Sequence, residues 1–178
     1  IEITWSGEII SADTDIPLSE GWNYAAYFPE FELDASAPDF HVLSPIIESV
    51  NIAKDESGRF LNPEFGFSNM PPWRESKGYQ IRVNEDVVLN YPQAQDDVAF
   101  THPCFPIENR GSEQDHWQFP TSTGENMSLL ITSVSGIEIE KGDQIAAFNL
   151  DGNLVGVGNI EADGRCGLAL WGDDKTTE

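Results

Sequence analysis

Acidic and amide side chains stand in the turns of the C-terminal half, where their oxygens could bind a calcium ion. Asp151 and Asn153 lie in one such turn, and Asp173 and Asp174 are adjacent in another. Ca²⁺ prefers oxygen ligands, and neighbouring carboxylates repel each other unless a cation or solvent separates them. These four residues are therefore the candidate calcium ligands. No segment matches the twelve-residue calcium loop, and an Asp-Gly pair also serves simply to form a hairpin turn.

Two further groups of residues offer weaker chemistry. His102, Cys104, His116 and Cys166 include the ligand types of a structural zinc site, but their spacing matches no familiar zinc motif. Glu64 lies between Pro63 and Phe65 and is the candidate acid for acid–base catalysis, and the alternative is a solvated loop acid. The sequence contains no Gly-x-Ser-x-Gly elbow and no phosphate-binding loop, so we predict that the chain is not an enzyme.

Aromatic side chains are the feature most open to a binding function, because their rings could stack on sugars. Trp73 follows two prolines in a loop and is expected to be the exposed ring. Together with Tyr79 and Trp171 it forms the candidate glycan-contact set. Trp22 and Tyr24 share one face of a predicted strand with an alanine, and that face is expected to pack into a core.

Charge excludes several classes of partner. The 178 residues include 31 acids and nine Lys or Arg residues, which gives a net charge of −22. Such a surface repels phosphate backbones and anionic lipid, so binding to nucleic acid or to a membrane surface is not expected. No apolar run approaches the ~18–20 residues of a membrane span, so no membrane insertion is expected either. Cys104 and Cys166 could form one disulfide in an oxidising compartment or remain two buried thiols.

The elements that would position these residues are strands. Turn residues recur about every 8–12 positions and helical periodicity is nearly absent, a rhythm typical of all-β domains. We predict an all-β fold of two small antiparallel, sandwich-like β domains, with one short helix near 39–48. The first domain would span 1–91, a linker rich in Pro and acids 92–114, and the second domain 115–178. The second domain is expected to be incomplete at its C-terminus.

The second domain contains the strongest local signal, a hairpin folded about Asp-Gly. Phe148, Leu154 and Val157 are expected to pack its core. Gly156 and Gly158 leave alternate positions without side chains. One face of this strand is therefore predicted to be flat and open to close approach by another strand or an aromatic ring.

Two blocks of the sequence resemble known surface modules. The first spans residues 15–91 and is carried by Gly21-Trp22-Asn23, Val50-Asn51-Ile52-Ala53-Lys54-Asp55, Gly58-Arg59-Phe60, Asn62-Pro63-Glu64-Phe65, Trp73 and Gly78-Tyr79-Gln80-Ile81. The second spans 116–174 and is carried by His116-Trp117-Gln118-Phe119, Gly142-Asp143-Gln144-Ile145-Ala146-Ala147-Phe148 and Trp171-Gly172-Asp173-Asp174. They resemble repeat-type β modules of large secreted, cell-surface proteins of Bacteroidetes-like bacteria, often near a C-terminal sorting domain. The resemblance implies extracellular location, β architecture and a role in adhesion or surface structure.

Together these features favour a non-enzymatic extracellular structural or adhesion module. It would associate with neighbouring domains or subunits of the same surface assembly through strand edges and flat faces. The alternative is a carbohydrate-binding module attached to a secreted enzyme or adhesin, with a glycan as its partner. A third hypothesis, a hydrolase, would need two close carboxylates in a polar cleft.

Overall fold

The protein has an all-β fold with a single short helix, as predicted. The computed structural model describes residues 10–94, 116–121, 123 and 125–172, and these form eleven strands and one helix. The strands are short and pair antiparallel wherever their register is defined. The predicted linker over 92–114 lies almost entirely outside the described residues.

Seven strands precede residue 90. They are β1 (Ile16–Leu18), β2 (Gly21–Tyr27), β3 (Val50–Lys54), β4 (Phe60–Asn62), β5 (Phe67–Ser68), β6 (Lys77–Val83) and β7 (Val87–Leu89). Strands β1 and β7 form a two-stranded sheet, and the other five form a sheet in the order β2-β6-β3-β4-β5. Strand β2 is therefore an edge strand that is paired along its full length with β6.

The helix lies between β2 and β3 and is a 3₁₀ helix over His41–Ser49. The predicted helix near 39–48 is thus confirmed, with its start displaced by two residues. Pro45 lies inside it and has no backbone N–H to donate, which limits regular helical bonding. The helix buries Val42, Leu43 and Ile46.

The chain divides into two compact units whose segments alternate along the sequence. Of the described residues, the first unit holds 10–53, 61–67 and 71–94. The second unit holds 54–60, 68–70 and the residues from 116 onward. The second unit therefore includes the turn between β3 and β4 as well as the C-terminal strands.

The first unit has an aromatic core built around Trp73, which has no exposed surface. Its indole stacks on Tyr79 with ring centroids 3.7 Å apart and an interplanar angle of 4°. Tyr27 and Tyr91 meet the indole edge-on at 6.3 and 6.4 Å. Edge-to-face and offset-stacked pairs such as these add to the free energy gained by burial. We call Trp73, Tyr79, Tyr27 and Tyr91 the aromatic cluster.

The buried phenols of this cluster keep their hydroxyl hydrogen-bonded. Tyr27 donates to the carbonyl of Phe31 at 2.6 Å, and Tyr91 donates to the carbonyl of Ala26 at 3.0 Å. Burial, reinforced by the neighbouring phenols, raises the pKa of both Tyr27 and Tyr91 above the usual value. Both groups therefore stay neutral under ordinary conditions.

The second unit is made of two ribbons. They comprise β8 (Asn126–Ile131) paired with β11 (Cys166–Trp171), and β9 (Gln144–Phe148) paired with β10 (Leu154–Asn159). Strand β10 lies against β11 at the two glycine positions. A Cβ on Gly156 would lie 2.6 Å from the Ala169 carbonyl oxygen, and one on Gly158 would lie 2.6 Å from Cys166 Sγ. The predicted close approach of another strand to this face is confirmed, and the strand is β11.

The opposite face of the β8–β11 ribbon is covered by the β3–β4 turn. A Cβ on Gly58 would lie 2.4 Å from Cβ of Ala169 and 3.1 Å from Cζ2 of Trp171. Lys54 is buried there, and its Nζ donates to Asn126 Oδ1 at 3.1 Å. Desolvation lowers the pKa of Lys54 below its ordinary value.

Three hairpins are closed by the same five-residue turn, at residues 55–59, 149–153 and 161–165. In each, the first residue donates its N–H to the carbonyl of the fifth, at 3.0, 2.9 and 2.8 Å. The fourth residue is a glycine with φ of 76°, 84° or 78°. Only glycine adopts this left-handed conformation without a steric penalty from Cβ, so the turns require it.

Side-chain oxygens reinforce these turns. Asp55 Oδ1 accepts the N–H groups of the third and fifth residues of its turn at 2.9 and 3.0 Å, and Asn149 Oδ1 does the same at 3.0 and 2.9 Å. In the third turn Asp163 accepts the N–H and the guanidinium of Arg165. The polar residues of these turns thus bond to the backbone that they help to fold.

We expect the stability of the second unit to depend on pH through Cys166. Its thiol is free and fully buried, and burial, with a smaller contribution from Glu161, raises its pKa to about 11. At pH values between the pKa of the unfolded state and that of the native state, the native state therefore keeps the thiol proton and the unfolded state has lost it. As the pH rises from about 9 to about 11, this group should remove about 2–3 kcal/mol of stability.

The measurement is chemical unfolding at several pH values for the wild type and for Cys166→Ala. The difference in unfolding free energy between the two proteins should shift in favour of Cys166→Ala above about pH 9. A difference that stays constant from about pH 7 to about pH 11 would contradict the prediction.

Candidate functional site

The candidate glycan-contact set is not an exposed surface. Trp73 is fully buried and Tyr79 is 4% exposed, so the expected exposure of Trp73 is wrong. The loop residue is drawn inward because its backbone pairs with Leu33, through hydrogen bonds of 2.8 and 3.1 Å. Trp171 is half-buried, with its ring over Gly58. In this conformation neither Trp73 nor Tyr79 offers a ring face to a sugar.

Two of the exposed aromatic side chains lie on β2. Trp22 is 48% and Tyr24 is 83% exposed, whereas Ala25 and Tyr27 on the other face are buried. The sequence pattern correctly placed Trp22 and Tyr24 on one face, but the expectation that this face packs into a core is wrong. Tyr27 directs the opposite face inward because it belongs to the aromatic cluster.

Asp151 and Asn153 lie in the second of the three turns. Their backbone N–H groups are bound by Asn149 Oδ1, and Asp151 is exposed. The other two candidate calcium ligands, Asp173 and Asp174, lie outside the described residues. Within residues 10–94, 116–121, 123 and 125–172, no three His, Cys, Asp or Glu side chains form a group able to hold a metal ion. The calcium hypothesis stays a prediction.

Among the described residues, the remaining candidates for chemistry differ in their exposure. Cys166 is in the core of the second unit, while His116 is exposed and packs edge-on against Trp117 with centroids 4.7 Å apart. His102 and Cys104 lie outside the described residues. Glu64 is exposed on the surface of the first unit.

The second unit exposes an apolar surface that the sequence did not predict. Within the part of this unit that the structure describes, the core cluster has three buried members: Ile160, Cys166 and Leu168. Antiparallel register places Met127 and Leu129 of β8 on the same ribbon face as this core, opposite Leu170 and Leu168. Met127 is nevertheless 59% exposed and Leu129 38% exposed. We call Met127 and Leu129 the β8 strip.

Other apolar side chains of this unit are also exposed. Phe148, predicted to pack in the core, is 47% exposed at the end of β9, whereas Val157 is buried as expected. Leu150 and Ile137 project into solvent as well. A shallow groove of about 230 Å³ is lined mainly by isoleucine and valine side chains, namely Val134, Ile137, Ile139, Ile145 and Ile160. Large exposed apolar patches commonly mark sites of interaction.

In the part of the chain that the structure describes, no helix has the length and apolar character needed to cross a membrane. Comparison of the chain with protein-family models, with curated protein sequences and with solved structures finds no match.

Proposed function

We propose that the protein is an extracellular structural or adhesion module that associates with neighbouring domains or subunits through strand edges. The observation that carries the proposal is the β8 strip, two exposed apolar residues that continue the buried core face of the β8–β11 ribbon. One part of this face is buried in the core and the other part is exposed to solvent. Such a face is suited to binding another chain that covers the exposed part. The extracellular location rests on the resemblance to secreted surface modules.

The backbone of β8 supports the same proposal. Among the described residues, β8 pairs with β11 on one side and with no strand on the other, and β9 pairs with β10 alone. Unpaired edges offer N–H and C=O groups to an incoming strand. A strand from a neighbouring domain, added along β8, would satisfy those groups and cover the β8 strip at the same time.

Charge would control when this association occurs. At −22 the chain repels copies of itself. Salt shortens the range of that repulsion from about 30 Å at 0.01 M to about 3 Å at 1 M. Association through apolar and backbone groups should therefore strengthen as salt rises, whereas association through ion pairs would weaken.

The test is sedimentation velocity of the purified chain over a range of concentrations at low and high salt. The wild type should form higher-mass species at high salt. The double variant Met127→Lys/Leu129→Lys should associate at least about tenfold more weakly, because it places charges in the contact. Val88→Lys is the matched control, since Val88 is exposed on β7 of the first unit.

Two results would contradict the proposal. One is a wild type that stays monomeric at every concentration and salt. The other is association that the double variant and Val88→Lys weaken equally. A loss confined to the double variant, with unchanged circular dichroism, supports association through β8.

A further inference from the structure

The solvent face of the β2–β6 pair carries an arrangement that the proposed association does not use. Register places Trp22 opposite Arg82 and Tyr24 opposite Gln80 on this face. Directly opposite residues have Cβ atoms about 5 Å apart, so each exposed ring has a hydrogen-bonding side chain beside it. Along the strand the two pairs are separated by about 7 Å.

We propose that this face binds a neutral polysaccharide, with Trp22 and Tyr24 stacking on sugar rings. A sugar ring presents C–H groups on its faces and hydroxyls around its rim. Aromatic faces carry negative charge density that attracts C–H groups. The guanidinium of Arg82 and the amide of Gln80 can donate to the hydroxyls. An aromatic ring with a hydrogen-bond donor beside it occurs twice along the strand. This repeat is suited to a ligand that is itself a chain of repeating units.

The rest of this strip consists of small residues. The next position along the pair is occupied by Ala26 opposite Gly78, two small residues that are both exposed. Among the strands that the structure describes, β2 is the edge of its sheet, so a chain can run along it without meeting another of those strands. The six residues together form a strip with two aromatic rings at one end and two small residues at the other.

Composition favours a glycan over a protein partner at this face. Protein interfaces surround their aromatic anchors with a desolvated apolar centre. None of the six residues on this strip is Val, Leu, Ile or Met, whereas the β8 strip of the second unit consists of Met and Leu. Sugar sites instead combine ring faces with a few well-placed polar groups.

Charge selects among glycans. A chain of net charge −22 repels polyanions such as acidic polysaccharides, as it repels nucleic acid. Arg82 is a single positive group on the strip, and it serves as a hydrogen-bond donor to hydroxyls. The ligand class is therefore a neutral polysaccharide.

The test is affinity electrophoresis of the whole chain in gels that contain neutral polysaccharides (β-glucan, xylan, mannan), with pull-down on insoluble cellulose and chitin. At least one of these should retard or retain the wild type. Trp22→Ala and Tyr24→Ala should each weaken that binding at least tenfold, and Gln80→Ala severalfold. Phe119→Ala is the control, since it removes an exposed ring outside the strip. Thermal unfolding should show that all the variants remain folded.

Three outcomes would overturn the proposal. They are no binding to any neutral polysaccharide, binding that survives in both Trp22→Ala and Tyr24→Ala, and binding that Phe119→Ala weakens as much. If the strip were instead a protein interface, the Trp22 and Tyr24 variants would change the sedimenting mass, and this also overturns it. The variants of the β8 strip do not touch this face, so the two proposals can fail independently.

Discussion

Replacing Trp73 by alanine is expected to lower the free energy of unfolding by about 3–5 kcal/mol, the range for removing a large aromatic ring from a core. Trp73 is fully buried, and its indole contacts Tyr79, Tyr27 and Tyr91. Removing the indole leaves a cavity between three tyrosine rings. Because the hydroxyls of these rings hydrogen-bond to the backbone, the rings cannot move freely to fill the cavity. Because whole domains are stable by only about 5–15 kcal/mol, this one change should bring the first unit close to unfolding.

Two variants give the prediction its controls. Trp22→Ala removes the same side chain from a position that is 48% exposed, and it should lower the free energy of unfolding clearly less than Trp73→Ala does. Trp73→Phe should cost clearly less than Trp73→Ala, because it keeps a ring and removes an indole N–H that has no hydrogen-bond partner. Denaturant unfolding followed by near-ultraviolet circular dichroism measures all three. Equal losses for Trp73→Ala and Trp22→Ala would refute the buried cluster.

Gly58→Ala is expected to destabilise the second unit by about 2–5 kcal/mol. Its φ of 76° costs a non-glycine residue about 1–2 kcal/mol. Its Cβ would also lie 2.4 Å from Cβ of Ala169, closer than real Cβ contacts allow, which adds an overpacking cost of about 1–3 kcal/mol. The adjacent contact with Trp171 leaves little room for relaxation.

Gly152→Ala provides a matched comparison, because the same turn recurs there with φ of 84° and no atom lies within 4 Å of the place that its Cβ would take. It should carry the conformational cost alone, about 1–2 kcal/mol. The difference between the two variants isolates the close approach of Gly58 to β11. If both variants lose the same stability in urea unfolding, the turn at 55–59 does not pack on that ribbon as described.

Local patterns were sufficient to predict the class of fold and several of its strands. A turn at Asp163-Gly164 followed by an apolar run predicts a strand over 166–171, which is its observed extent. Alternation likewise predicts the strand that begins near Gly78 and ends at Val83. These signals need only neighbouring residues, because turn chemistry and strand alternation are short-range properties.

The choice of the buried face could not be predicted in the same way. Alternation separates Trp22 and Tyr24 from Ala25 and Tyr27, but aromatic residues suit both a core and a wet surface. Which face is buried is determined by contacts with residues that are distant in the sequence. Tyr27 meets Trp73, and Trp73 is held by a backbone bridge to Leu33. No local signal contains that information, so the ring expected outside is inside and the rings expected inside are outside.

The recurring five-residue turn has a consequence for how the chain acquires its structure. Each reversal is specified by bonds within one short segment, so closing it has a small entropic cost and a hairpin can form on a timescale of about 1–10 μs. The aromatic cluster instead joins Tyr27 to Tyr91, which lie far apart in the sequence. Nucleation should therefore begin at the hairpins, and the search for long-range ring contacts should set the overall folding rate.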